Sequence, residues 1–314
     1  MISQARILVI RGGAIGDFIL TLPAIALLRE NFPGAHIEIL GYKHIIALAE
    51  GRFYCQATRC IEYGAMAGFF VPGSELDPEL VTYFASFQQV VSYLYDPNTY
   101  FEANLRKAGV KNFLPAFSPA ADSEHAAQQL ARPLEQMALF LESPAAKVYP
   151  NESDRRFAGQ LGIAPGCIAI HPGSGSARKN WLLGRWAEVS RILLERYPEV
   201  QLLLVGGEAD VAALETLRTA LPDRVQVLRD LPLPHLAAVL ERCRLFLGHD
   251  SGISHLAAAV GAPCVLLFGP TDPAVWAPVN DRVQVIEAPG NDFSRLHVEQ
   301  VIAAAMTVVS SRDA

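Results

Sequence analysis

Two loops far apart in the chain hold the residue types that could do chemistry: Arg11-Gly-Gly-Ala-Ile-Gly-Asp17 and His249-Asp-Ser-Gly-Ile-Ser-His255. Each sets small residues and a carboxylate where an apolar strand pattern ends and a helical one begins, the place where open parallel α/β sheets hold phosphorylated ligands. Gly12, Gly13 and Gly16 allow close backbone approach. Asp17 stands where a phosphate-binding loop ending Gly-Lys-Ser/Thr would place its lysine, so a general base suits it better than a phosphate ligand. Read alone, Asp17 could equally cap the helix that follows.

A third segment, His171-Pro-Gly-Ser-Gly-Ser-Ala-Arg-Lys-Asn-Trp181, ends a strand and enters a helix. Its free backbone N–H groups, the hydroxyls of Ser174 and Ser176 and the Lys179 ammonium could together neutralise a diphosphate. Glu208, just after Gly206-Gly207, could accept ribose hydroxyls, or could simply favour the start of a helix through its dipole. Asp250, Ser251 and Gly252 open a helix that contains His255; Asp250 could be a cap only, and His255 a buried structural histidine. Phe268-Gly-Pro-Thr-Asp-Pro273 closes the next strand on the same side of the sheet, so four strand ends carry polar groups to one edge. With no Asp-x-Asp and no His/Cys cluster at ligand spacing, no metal site is expected. Serine hydrolysis lacks its strained Gly-x-Ser-x-Gly turn.

The elements that must position these residues follow from hydrophobic periodicity. A buried strand over 6–10, a helix over 17–31 and a strand over 35–40 make one βαβ unit. Between Gly51 and Asp122 the pattern is irregular, with a loop at 69–73, a helix near 78–87 and a strand over 90–95 that ends at Asp96-Pro97. Tyr95, Asp96 and Asn98 lie just beyond that strand and are candidate acceptor contacts. A helix over 123–141 and a linker over 142–153 precede a regular alternation: strands at 167–171, 200–205, 225–228, 245–248 and 264–268, helices at 183–197, 209–221, 234–242 and 254–260. A final amphipathic helix spans 296–309. The fold class expected is therefore α/β, with two Rossmann-like doubly wound domains over 1–151 and 152–314.

At 314 residues the chain exceeds the span over which one core usually grows, about 250–300 residues, which agrees with two domains. No apolar run reaches the roughly 20 residues of a bilayer span, and the N-terminus lacks the pattern of a signal peptide, so a soluble cytoplasmic protein is expected. The formal net charge of −6, with no run of cations longer than two, disfavours nucleic acid as a partner and a strong electrostatic membrane anchor. Five cysteines without a Cys-x-x-Cys read as reduced and structural. Phe69 and Phe70 could touch lipid or anchor a loop.

Arg11-x4-Gly16-Asp17 with Leu20-Thr-Leu-Pro-Ala24, the His171 loop with Lys179 and Trp181, Gly206-Gly-Glu208, and Asp250-Ser-Gly-Ile-Ser-His255 through Gly269-Pro-Thr-Asp-Pro273 closely resemble glycosyltransferase family nine. These are the ADP-heptose:lipopolysaccharide heptosyltransferases and their relatives. The resemblance implies a GT-B architecture, with the two domains facing a central cleft and the C-terminal segment 291–314 returning to the first. It implies an inverting, metal-independent glycosyltransferase with no cofactor, which uses a nucleotide-sugar donor, ADP-heptose, and a saccharide or lipid-linked saccharide acceptor at the inner face of the membrane. In that scheme Asp17 is the base. Gly16, Ser174, Ser176, Lys179, Ser251 and Gly252 hold the diphosphate, Glu208 the nucleoside, and Asp250 and His255 the sugar. The resemblance thins over 51–122, which offers only Arg52, Arg59, Arg106, Lys107 and Lys111 to an acidic acceptor. A nucleotide-sugar epimerase or hydrolase on the same fold, and a non-catalytic nucleotide-sugar-binding protein, are the competing readings. Retention of Asp17, Lys179, Glu208 and Asp250 together argues against the last.

Overall fold

The computed structural model describes residues 4–117 and 124–310. It divides into two units, Met1–Pro144 and Ala145–Ala314.

In the first unit the strands are β1 (Arg6–Arg11), β2 (His36–Gly41), β3 (Ala57–Cys60), β4 (Gln89–Ser92) and β5 (Phe113–Pro115). The helices are α1 (Ile15–Asn31), α2 (Lys43–Ile46), α3 (Pro78–Ala85), α4 (Tyr100–Lys107) and α5 (Ala126–Ala131). The sheet is parallel in the order β3-β2-β1-β4-β5. Strand β1 is central because Ile7 to Ile10 are apolar on both faces and fully covered. One face carries Leu8, Ile10, Leu40 and Val90 against Phe69, Phe84 and Phe101. Phe69 is thus a core anchor, held further by the Asn104 amide, which donates to the carbonyls of Phe69 and Val71. Phe70 is half-exposed and stacks on Phe101.

In the second unit β6 (Cys167–Ile170), β7 (Leu202–Gly206), β8 (Gln226–Arg229), β9 (Cys243–His249), β10 (Cys264–Phe268) and β11 (Val283–Glu287) alternate with α6 (Glu152–Gln160), α7 (Leu183–Arg196), α8 (Val211–Ala220), α9 (Leu233–Glu241), α10 (Gly252–Ala259) and α11 (Pro273–Trp276). The order β11-β10-β9-β6-β7-β8, all parallel, is the doubly wound arrangement in which strand order reverses between β6 and β9. In the first unit the same reversal falls between β1 and β4. The loops that leave these four strands are where each fold places a ligand, and apart from Glu208, which follows β7, they or the helices they open contain the candidate site residues singled out from sequence.

Two elements differ from expectation. The helix expected over 123–141 begins outside the described residues at Ser123, and within it α5 gives way to a tighter turn over Arg132–Met137, where Pro133 removes a backbone donor. The region 142–153 is partly helix, since Asn151 caps α6 by accepting from the Asp154 N–H while the Asp154 carboxylate accepts from the Asn151 N–H. The last helix, α12 (Val298–Ser310), packs on the second unit's own sheet, where Val298, Val301, Ala305 and Val309 join the core beside α7, β9 and β10. That sheet face would otherwise leave apolar surface in water, and the stripe on α12 is matched to it. No helix among the described residues is long and apolar enough to cross a membrane.

Candidate functional site

In the first unit, β1 ends at Arg11 and α1 begins four residues later. Gly13 has φ +92, a backbone conformation that side chains disfavour, and a Cβ there would meet the Asp17 carboxylate. Asp17 sits in the first turn of α1, beside Gly16, and both of its carboxylate oxygens are engaged. Oδ2 accepts from the Ala14 N–H at 2.8 Å, and Oδ1 lies 3.5 Å from the Arg11 guanidinium. The capping role is therefore real, yet the side chain remains 42% exposed. Arg11 is buried, and its guanidinium also donates to the backbone carbonyls of Asp17 and Tyr93. Burial lowers the Arg11 pKa, with Asp17 and Tyr93 opposing. This cation fixes Asp17 at both its backbone and its carboxylate; the role was not read from sequence, although Arg11 belongs to the quoted motif.

Beyond β4, Tyr95 is 69% exposed and packs on Phe117, at 5.1 Å between ring centroids. The Asp96 carboxylate accepts from the Glu102 N–H at 3.0 Å and so helps start α4, while Asn98 is exposed in the turn between them. Of the cations in this region, Arg52 donates to the carbonyls of Ala47 and Glu50, Arg59 pairs with Glu79, Arg106 with Glu102, and Lys107 donates to the Ser74 carbonyl.

The second unit is more tightly knit. Lys179, at the end of a short turn after β6, places its ammonium 2.6 Å from Asp250 Oδ2, just after β9. The Thr271 hydroxyl, after β10, donates to the same oxygen at 2.8 Å. Ser251 caps α10 by accepting from the Ser254 N–H, and its Oγ also lies 3.3 Å from His171 Nδ1. The other nitrogen of His171 is 3.3 Å from Asp210, whose carboxylate also accepts from the Gly207 N–H. Burial would raise the Asp210 pKa, but the bonds from His171 and Gly207 outweigh it and hold the carboxyl below its ordinary value. Gly173 is required here, because a Cβ would collide with Asp210 Oδ1.

Beneath this layer His249 is fully buried. The Trp181 N–H donates to Nε2 at 2.8 Å, so Nδ1 carries the proton and faces the Gly173 carbonyl at 3.4 Å. Burial pushes the His249 pKa down to about 3, so the ring stays neutral and ties the loop after β6 to the end of β9. Trp181, itself buried, packs edge-on against Trp186 and donates its indole N–H to the Leu296 carbonyl.

The structure thus brings Lys179, Asp250 and Ser251 together with Gly252, the first residue of α10. It does not bring in Glu208, an exposed side chain in the turn before α8, where Asp210 takes the inward position. The Ser174 hydroxyl is turned onto its own loop, at 2.9 Å from the Ser176 carbonyl and 2.5 Å from Asn180 Oδ1, and Ser176 is exposed. His255 is buried on α10, three residues inside the helix. His171, Asp210, His249 and Thr271 were not assigned roles from sequence. Three of them sit at strand ends beside assigned residues, but their pairing depends on which strands are neighbours.

Two parallel, doubly wound sheets with polar groups at both points of strand reversal define an α/β protein of the GT-B class. The family model of glycosyltransferase family 9 (heptosyltransferase) matches residues 103–303, more than half of the chain. Lipopolysaccharide heptosyltransferase 3 of Escherichia coli is 23% identical over 297 residues, covering 85% of this chain and 84% of that protein. A glycosyl transferase family 9 structure from Veillonella parvula superposes with TM-score 0.81 at 20% identity, over 98% of this chain and 97% of that one. The E. coli heptosyltransferase WaaC, solved with ADP, gives TM-score 0.73 at 17% identity over 96% and 99%. The chain belongs to glycosyltransferase family 9, and it is a glycosyltransferase.

Proposed function

We propose that this enzyme transfers heptose from ADP-heptose to a lipopolysaccharide-type saccharide, with inversion and without a metal. The observation that carries the reading is the Lys179–Asp250 pair at the strand reversal of the second unit, a cation beside a carboxylate where a doubly wound sheet binds a sugar diphosphate. The name of the E. coli relative supports the acceptor class, and the ADP in the WaaC structure supports the base of the donor.

In the proposed reaction, Asp17 takes the proton from an acceptor hydroxyl as that oxygen bonds to the anomeric carbon. The bond between that carbon and the diphosphate oxygen breaks, and ADP leaves with the electron pair. One displacement inverts the centre and needs no covalent intermediate. Lys179, the N–H groups at the start of α10 and the Ser251 hydroxyl offset the charge that develops on the departing diphosphate. Arg11 aligns Asp17 through its contacts to the carboxylate and to the backbone carbonyl. Since four of the five cations counted over 51–122 are committed to partners within the chain, acceptor recognition relies on neutral polar contacts more than on an array of cations.

Thermal unfolding in the presence of ADP, UDP, GDP or CDP, with and without a chelator, tests this, because a ligand that binds only the folded state raises Tm. Selective stabilisation by ADP that survives chelation is the expected result. Preference for another nucleotide overturns the ADP donor, and loss of the shift with chelator overturns metal independence.

A further inference from the structure

Lys179 and Asp250 are, on the reading above, a diphosphate ligand and a sugar ligand, yet each is also the other's partner at 2.6 Å. The pair is about one-third exposed at Lys179 and one-tenth at Asp250, so it is partly desolvated and not freely screened. The ammonium has three donors, so a diphosphate either shares it with this carboxylate or draws it away, and either weakens its hold on Asp250. The Thr271 hydroxyl continues to donate to the same Oδ2 and compensates Asp250 for that loss.

The donor and the product do not meet this arrangement equally. In a nucleotide sugar the distal phosphate is esterified and carries one charge. In free ADP it is a terminal phosphate whose second ionisation lies near pH 6, so at neutral pH it brings additional negative charge to the same place. A fixed carboxylate disfavours the second more than the first, and only the first brings it the hydroxyls of the sugar to be transferred.

We infer that Asp250, supported by Thr271, sets donor-over-product specificity: it competes with the spent diphosphate for Lys179 and so drives ADP out after transfer. This rests on the nucleotide-sugar reading of the site. The three residues come from the loops after β6, β9 and β10, so the exchange needs only a rotation of the Lys179 side chain and no movement of the sheet.

The experiment is calorimetric titration of ADP and AMP into the wild-type chain, Asp250→Asn and Thr271→Val. Removing the carboxylate charge should tighten ADP about fivefold, the scale of a partly exposed ion pair, and leave AMP unchanged because AMP has no distal phosphate. Removing the Thr271 hydroxyl should weaken ADP about threefold, since Asp250 then loses more when Lys179 leaves. Equal or weaker ADP binding by Asp250→Asn overturns the inference, as does tightening of ADP and AMP alike. If Asp250→Asn does not fold, as judged by circular dichroism, the Thr271→Val arm decides: weaker ADP supports the inference, and unchanged or tighter ADP overturns it. Failure of the wild type to bind ADP at all would instead sink the donor assignment itself.

Discussion

The two units place polar residues at the same topological position and treat them differently. In the first, Asp17 depends on its own loop and one buried cation, with Ala14 and Arg11 as its partners and its side chain still open to water. In the second, the loops after four strands are cross-linked by side chains: Lys179 to Asp250, Thr271 to Asp250, His171 to both Asp210 and Ser251, and His249 to Trp181. On the proposed reading the difference follows from the tasks: a base needs an accessible lone pair and little else, whereas a diphosphate site needs its charges preorganised by partners from several strands.

The contrast is broken most severely at Asp17. Asp17→Asn keeps the shape of the loop but removes the proposed base, and turnover should fall by about a thousandfold, within the range of general-base catalysis. Initial rates with donor and acceptor measure this; a variant that keeps more than a tenth of the rate removes Asp17 from the base role.

Acid is the next lever, and it should act through the second unit. His249 must be neutral to accept from the Trp181 N–H, and its pKa is held down to about 3 against 6.5 in the unfolded chain. The unfolded state therefore gains a proton that the folded state refuses. Stability from this residue is complete above about pH 6.5 and is lost as pH falls towards 3, on the order of a few kcal/mol in all. Urea melts at pH 7.5, 6, 5 and 4 should show the loss. His249→Phe should be less stable than wild type at pH 7.5, having stranded the Trp181 N–H, but should show a flatter acid dependence.

Lys179→Met should weaken ADP by roughly ten- to a hundredfold, the scale of a charge-assisted contact to phosphate, while leaving Tm without ligand within a few degrees. Glu208→Gln should have the smallest effect, less than about threefold on ADP affinity, because the exposed carboxylate makes no contact with the Lys179 cluster. An effect as large as that of Lys179→Met would mean that the turn before α8 rearranges to reach the nucleoside.

Legibility in the sequence followed the same division. The loop of Asp17 could be read because its components are local: glycines that permit φ > 0, then a carboxylate in the first helical turn. The strand–helix alternation of the second half was also visible, since buried parallel strands such as Cys264–Phe268 are unbroken apolar runs. Strands β3 and β11 were not, because they lie at sheet edges and are only half-covered, so Ala-Thr-Arg-Cys and Val-Gln-Val-Ile-Glu lack that run. Asp250 and Lys179 were each identifiable, but their partnership was not, nor was the choice of Asp210 over Glu208 as the inward carboxylate. Those depend on β6 lying beside β9 and β7, which no local pattern encodes.

The central claim is that the two units divide the labour, with the base in one and the diphosphate ligands in the other. The most direct test is ADP affinity and transfer rate measured side by side for Asp17→Asn and Lys179→Met. The account predicts that Asp17→Asn binds ADP within about twofold of wild type while losing nearly all turnover, and that Lys179→Met loses affinity first. Loss of ADP affinity in Asp17→Asn comparable to that in Lys179→Met would contradict it.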